Sequence, residues 1–398
     1  ALLTMLLAVD NDYQACLMVP TEILAQQHFQ SMYSLLDKIN LPIALLTGST
    51  KTAERKKIAT SLESGELKLL VGTHALIEET VQFKKLGLVI IDEQHRFGVA
   101  QRARLWKKAA IPPHILVMTA TPIPRTLAMT AYGDLDSSII DELPPGRIPI
   151  KTVHRFEKDR SKVMDFIRDE VAKGRQAYII YPLIEESAKL DYENLMKGYE
   201  EVKAFFPEPK YWISMVHGRQ AAAQKETNMQ RFVQGDTQIM VATTVIEVGV
   251  NVPNATVMFI ESAEKFGLSQ LHQLRGRVGR VAEKSYCILL TSPGIGRDAS
   301  ERMKIMTQTT SGFEIAEKDL LLRGPGEIEG TRQSGALEFK LASIVEDRQL
   351  LEKASQQAAQ LIEKDPALSA PENCPLLQFL QQRKGMVGWG KIGCLKVS

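Results

Sequence analysis

Residues 86–95 read Leu-Gly-Leu-Val-Ile-Ile-Asp-Glu-Gln-His, an apolar run that stops abruptly on two acids. Consecutive rather than alternating apolar positions mark a strand covered on both faces, as in a parallel sheet flanked by helices. In an open sheet of that kind, ligands bind beyond the carboxyl ends of the strands. Leu86–Ile91 would therefore deliver Asp92 and Glu93 to a binding edge.

The same rhythm holds to either side. Strand-like runs at Cys16–Val19, Ile43–Leu46, Leu67–Val71 and Ile115–Met118 are separated by charged or amphipathic segments of helical length. A Pro/Gly cluster, LPPGRIP at Leu143–Pro149, breaks all periodicity and reads as a linker. Beyond it Ala177–Tyr181, Trp212–Val216, Gln238–Ala242, Val257–Ile260 and Tyr286–Leu290 repeat the strand pattern, with helices expected over Arg160–Ala172 and Gln220–Val233. The division expected is a first α/β domain over 1–143, a linker over 144–151 and a second α/β domain over 152–292. From about Arg297 the alternation stops in a Gly-rich, charged region (293–344), and a tail follows (345–398). Within the tail, Val345, Leu350, Leu351, Ala354, Ala358, Leu361 and Ile362 predict a helix over Val345–Glu363. It is expected to pack on the second domain, being too short for an oligomerisation coil, so a monomer is anticipated.

Composition sets limits on function. With 49 Lys and Arg against 47 Asp and Glu the net charge is only +2, so any nucleic-acid-binding surface must be local. The four cysteines (Cys16, Cys287, Cys374, Cys394) show no metal or disulfide spacing and fit a reducing cytoplasm. Ala1–Val9 is apolar, but it lacks a basic leader and is too short to span a bilayer. It is expected to be a buried helix, and no membrane segment is predicted.

Adjacent acids at a strand end suit phosphoryl transfer to water. Asp92 would hold Mg²⁺ and Glu93 would position the attacking water. Thr119 and Thr121 follow the next strand and could bond to those acids, although a plain turn uses the same residues. Far downstream, Arg277 and Arg280 stand three apart, with Arg275 beside them. Guanidinium forks match phosphate oxygens. Gly276 and Gly279 between them are poor helix formers and argue for close backbone approach rather than a solvated basic helix. Thr21, Gly48 with Ser49, Thr73 and Thr243 each follow a predicted strand. There they could ligate the phosphates of nucleic acid or simply cap helices.

In this order the motifs PTEILAQQH (Pro20–His28), GTHAL (Gly72–Ala75 and Leu76), DEQH (Asp92–His95), TATPIPRT (Thr119–Thr126), ATTVIEVGVNVPNA (Ala242–Ala255) and QLRGRVGR (Gln273–Arg280) resemble superfamily 2 helicases. The extended DEQHRFGV and GFEIAEKDLLLRGPGEIEGTRQSG (Gly312–Gly335) narrow the resemblance to the RecG-type ATP-dependent DNA helicases. It covers roughly Pro20 to Gly335.

The resemblance implies two tandem RecA-like parallel-sheet domains, the first incomplete, followed by a helical hairpin translocation element. It implies ATP and Mg²⁺ as cofactors and DNA as partner, in the form of branched duplex, forks and Holliday-type junctions. Nucleotide binding and coupling would fall to His95, Thr119, Thr121, Gly249, Asn251 and Gln273, and phosphate contacts to Arg277 and Arg280. Arg302, Arg323 and Gln333, spaced 21 and then 10 residues apart, match the translocation relay, although Arg302 could equally be a surface helix residue. The phosphate-binding glycine loop with its Lys-Ser/Thr is missing, as is the wedge domain, so the chain is expected to be an N-terminally truncated motor with weak ATP binding. Asn251 replaces an Asp near the ribose, and Val281 replaces a Gly. Two rivals remain open: a transcription-repair coupling type of translocase, and a DNA-binding module without catalysis.

Overall fold

The computed structural model describes residues 1–93, 112–119, 138–140, 142, 146–182, 188–243, 252–279, 283–323 and 347–383. Contacts divide the chain into two compact units: Ala1–Ile123 with Ser138–Gly324, and Pro124–Ser137 with Pro325–Ser398.

In the first unit, α1 (Leu2–Asp10) leads into β1 (Gln14–Met18), α2 (Glu22–Leu36), β2 (Ile43–Leu46), α3 (Thr52–Ser64), β3 (Leu69–Gly72), β4 (Leu86–Asp92) and β5 (His114–Met118). The five strands form one parallel sheet in the order β2-β3-β1-β4-β5. Every residue of β1 and β3 is buried, which is why these segments read as unbroken apolar runs. Contrary to expectation, α1 buries only Met5; Leu3 and Leu7 face outward.

A second parallel sheet contains β6 (Lys151–Phe156), β7 (Gln176–Ile180), β8 (Ile213–Val216), β9 (Ile239–Ala242), β10 (Ala255–Ile260) and β11 (Tyr286–Thr291). Its order is β6-β11-β10-β7-β9-β8. Helices α4 (Arg160–Ala172), α5 (Ala188–Phe205), α6 (Ala222–Gln234) and α7 (Leu268–Arg275) lie between these strands in sequence. Apart from β6, the chain repeats the first sheet's order, with β7 to β11 standing for β1 to β5. The sequence reading did not find β6. It is a polar edge strand, KTVHRF, and carries none of the apolar signal of the buried strands.

The region where periodicity seemed to end holds two helices, α8 (Arg297–Gln308) and α9 (Gly312–Arg323). Their Met303, Ile305, Met306 and Ile315 join one continuous core with Leu268, Leu271 and Leu274 of α7 and with the strands of the second sheet. In the second unit the described residues form α10 (Arg348–Lys364) and α11 (Cys374–Arg383), and Leu350 and Ile362 of α10 are exposed.

The repeated topology repeats a detail. Gln14 opens β1, and its side-chain amide donates to the carbonyls of Leu62 at 2.9 Å and Leu67 at 2.8 Å while its oxygen accepts from Lys85 N at 2.9 Å. Gln176 opens β7 and donates to Phe232 O at 2.6 Å and Thr237 O at 2.8 Å. Each buried amide ties the central strand to the end of a neighbouring helix and to the turn after it. Gln14→Met would leave those buried partners unmatched, at a cost of about 2–4 kcal/mol. A urea unfolding curve checks this, with a lowered midpoint expected.

Candidate functional site

Parallel pairing brings the strand ends of the first sheet to one edge, and the strand order sorts them. Ser49 follows β2, Thr73 follows β3, Thr21 follows β1, Asp92 ends β4, and Thr119 follows β5. The residues assigned to nucleic-acid phosphate thus occupy one half of the edge, and those assigned to nucleotide occupy the other. Register pairs Asp92 with Met118, so Glu93 and Thr119 emerge side by side.

Asp92 is partly buried. Its Oδ2 lies 3.3 Å from His28 Nε2, and its Oδ1 accepts from Glu93 N at 3.0 Å. Glu93 has φ +51°, a left-handed conformation that a side chain with a Cβ adopts only at a cost of roughly 1–3 kcal/mol and that clusters at functional sites. Two carboxylates at a strand end are hard oxygen donors of the kind Mg²⁺ takes. Among the described residues no three His, Cys, Asp or Glu are grouped to hold a metal unaided.

Helix α2 reaches both halves of the edge. Thr21 is its N-cap, accepting from Leu24 N at 3.4 Å, so that hydroxyl serves the helix rather than standing free for a ligand. Glu22, which sequence reading passed over, accepts from Ser49 N at 3.1 Å and Ser49 Oγ at 2.7 Å. A Cβ on Gly48 would come within 2.9 Å of Glu22 Oε1, so that approach favours glycine. Arg55 braces the same loop from the other side, through Thr47 O at 2.7 Å, Thr50 O at 3.1 Å and Glu78 Oε2 at 2.7 Å. Six residues further along α2, His28 meets Asp92.

Thr73 and Thr243, candidates for phosphate contact or helix capping, are each only 2% exposed. Each has its backbone N bonded at 3.3 Å to the last carbonyl of the neighbouring strand, Leu46 or Val216. Neither hydroxyl has a hydrogen-bond partner among the described residues. They are equivalent positions in the two sheets. The turns Thr47–Thr50 and His217–Gln220 are equivalent as well. In each, the fourth side chain accepts from the first backbone N, at 2.9 Å in one and 3.1 Å in the other. The pattern x-Gly-x-x after β2 and β8 was the signal that would have put His217 and Arg219 among the candidates.

In the second domain, α7 carries Gln273, half-buried, and ends at Arg275. Arg277 therefore lies in a turn beyond the helix, and it is buried. Gly279 has φ +74°, and a Cβ there would stand 2.7 Å from Ile150, which is the close approach its glycine implied. Its carbonyl accepts from Arg147 Nε at 3.0 Å, tying the linker to this segment.

Arg275 is not a phosphate ligand. It is 2% exposed and donates to Met306 O at 3.2 Å, Thr309 O at 2.8 Å and Thr310 O at 3.2 Å, clamping the end of α8. Arg302 of α8 in turn donates to Glu264 O at 2.8 Å, and Ser269 of α7 bonds to Asp319 of α9 at 3.1 Å. Arg323 closes α9. His95, Thr121, Gly249, Asn251, Arg280 and Gln333 lie outside the described residues.

One further group sits at the centre of the second sheet's edge. Glu261, directly after β10 and thus equivalent in topology to Glu93, is buried and gripped by Arg160 through both oxygens, at 2.5 and 2.7 Å. Burial pushes its carboxyl up to about 7, opposed by Arg160. No helix among the described residues is long and apolar enough to cross a membrane.

Three family models match the chain. They are DEAD/DEAH box helicase over residues 1–130, Helicase conserved C-terminal domain over 159–282, and ATP-dependent DNA helicase RecG, domain 3, C-terminal, over 309–393. The chain is 55% identical over 385 residues to the ATP-dependent DNA helicase RecG of Synechocystis sp., covering 96% of the chain and 46% of that protein. With its Bacillus subtilis counterpart it shares 50% over 381 residues, covering 96% and 55%. It thus spans about half the length of the curated relatives it matches. A solved structure of RecG bound to a three-way DNA junction matches with TM-score 0.71 and 43% identity over 88% of this chain and 46% of that one. Saccharomyces cerevisiae Dbp5 bound to RNA and ADP BeF3 matches with TM-score 0.54 at 14% identity, over 89% and 84%, a likeness of fold alone.

His272 gives a test of the α7 clamp. Burial first, and then the charge of Arg275, lower it to about 4, and its Nδ1 faces Arg275 Nη2 at 3.0 Å. The unfolded chain takes up this proton near pH 6.5 while the folded chain resists until about 4, so stability is present above 6.5 and falls as pH drops through that window. Thermal melts between those limits should show the loss, and His272→Gln, which keeps an acceptor, should flatten it.

Proposed function

Because the chain belongs to the RecG-type superfamily 2 helicases, we propose that it is the motor portion of an ATP-dependent double-stranded DNA translocase that remodels replication forks and branch-migrates junctions. The observation that carries this is the divided edge of the first sheet, with Asp92 and Glu93 on one half, Ser49 on the other, and α2 touching both through His28 and Glu22. A helix that contacts both halves can pass a shift at one to the other. The second domain's tethers from α7 to α8 and α9 supply the corresponding link to the translocation element.

In this reading Mg²⁺ neutralises phosphate charge when bound. Asp92 would hold it, and Glu93 would hold and deprotonate the attacking water. Arg277 and Arg280 meet the γ-phosphoryl group, and Gln273 and Thr119 report its presence. Gly48 and Ser49 contact the DNA backbone without reading bases. Arg302, Arg323 and Gln333 form the translocation relay. A monomer in the cytoplasm fits this role. The 398 residues hold no glycine-rich loop ending in Lys-Ser or Lys-Thr, so this chain by itself is expected to bind DNA but to hydrolyse ATP poorly.

The test compares this chain with one joined to a phosphate-binding loop from a RecG relative. DNA-stimulated ATP hydrolysis is expected only in the longer chain, and Glu93→Gln should reduce it at least about 100-fold while sparing ATP binding. DNA affinity should fall about 100-fold or more between about 50 and 200 mM salt, whatever the sequence. Equal turnover by the Gln variant would remove Glu93 from its role.

A further inference from the structure

The Glu22–Ser49 contact that joins α2 to the DNA half of the edge also occupies donors that could hold a phosphate there. Ser49 offers a backbone N and a hydroxyl, both within hydrogen-bond reach of one carboxylate, at 3.1 and 2.7 Å. A backbone amide and a hydroxyl from one loop are also the donor pair with which proteins hold a phosphodiester oxygen. Arg55 fixes the loop from the far side, so the donors hold their place whatever occupies them. Glycine at position 48 lets an anion come close, since even a Cβ would crowd the carboxylate that is there.

A second observation comes from Thr73. Strand order places β3 between β2 and β1. A bond joining the loop after β2 to the start of α2, after β1, must therefore pass across the end of β3, where Thr73 stands. Thr73 is buried there, and its hydroxyl lacks a partner among the described residues. Leaving a hydroxyl buried and unbonded is costly.

We infer that Glu22 is an internal stand-in for a DNA backbone phosphate. Its carboxylate occupies the Gly48–Ser49 seat in the absence of DNA, and an entering phosphodiester displaces it and gains the hydroxyl of Thr73 as a third donor. The inference rests on the proposed DNA-binding function. The exchange is between like-charged groups at an exposed site, so it needs no new cation. It also makes Glu22 a brake on affinity, because the carboxylate must be moved and remains near the phosphate as a like charge.

The experiment is a fluorescence anisotropy titration of a labelled DNA duplex with the wild-type chain and with Glu22→Ala, Glu22→Gln and Ser49→Ala. Both Glu22 variants are expected to bind about 3- to 10-fold more tightly than wild type, and Ser49→Ala more weakly. Should the Ala variant fail to fold, as judged by circular dichroism, Glu22→Gln decides, since it keeps the shape and loses the charge. Unchanged or weaker binding by the folded Glu22 variants, with wild type binding normally, overturns the inference and makes the contact a brace. Absence of salt-dependent binding by the wild type instead removes the DNA-binding reading, and the inference with it.

Discussion

Every strand pair described in both sheets is parallel, and that constraint governs where chemistry can appear. Parallel pairing requires helical crossovers, which bury both faces and leave little room for polar groups within the strands. Polar residues accumulate where the strands stop, and all stop at the same side. Thr73, Asp92 and Thr119 are distant in sequence yet become neighbours along one rim because β3, β1, β4 and β5 lie in that order.

The two sheets share this plan but have used the equivalent strand end differently. After β4 the chain places Asp92 and Glu93, partly open and with a strained backbone at Glu93. After β10 it places Glu261, sealed by Arg160 and further surrounded by Glu157 and Glu201. One strand end leaves its carboxylates partly exposed; the other has turned its carboxylate inward as a structural pair. A buried pair of this kind contributes little net stability, but losing one member leaves an uncompensated charge. Arg160 and Glu261 are therefore expected to behave as a unit in double-mutant cycles.

Much of this was legible in the amino-acid order. Buried parallel strands advertise themselves as apolar runs, so ten of the strand positions could be read directly, whereas polar β6 could not. Helix α8 was hidden because its apolar residues are few and scattered among charges, and α9 because its apolar residues, three consecutive leucines among them, form no clean helical stripe; both make sense only against α7, which the sequence does not place beside them. Arg275 and Arg277 illustrate the limit at the site. Residue type fits both for phosphate, but position assigns Arg275 to the carbonyls of α8. Likewise Thr73 and Thr243 have the right hydroxyl at the right strand end, and only burial shows that neither is presented to solvent. Glu22 was overlooked because its partner lies 27 residues away.

The paired glutamines carry a consequence for biosynthesis. Gln14 leaves the ribosome before its partners, and its amide is matched only when Leu62, Leu67 and Lys85 have followed. The central strand of the first sheet is thus incomplete until dozens of later residues have been made, and Gln176 imposes the same delay on the second sheet through Phe232 and Thr237. Non-local closure of this sort slows folding and prolongs exposure of apolar strands. During translation each half of the protein would pass through an interval in which its innermost strand is present but unsatisfied, a window in which a chaperone has something to hold.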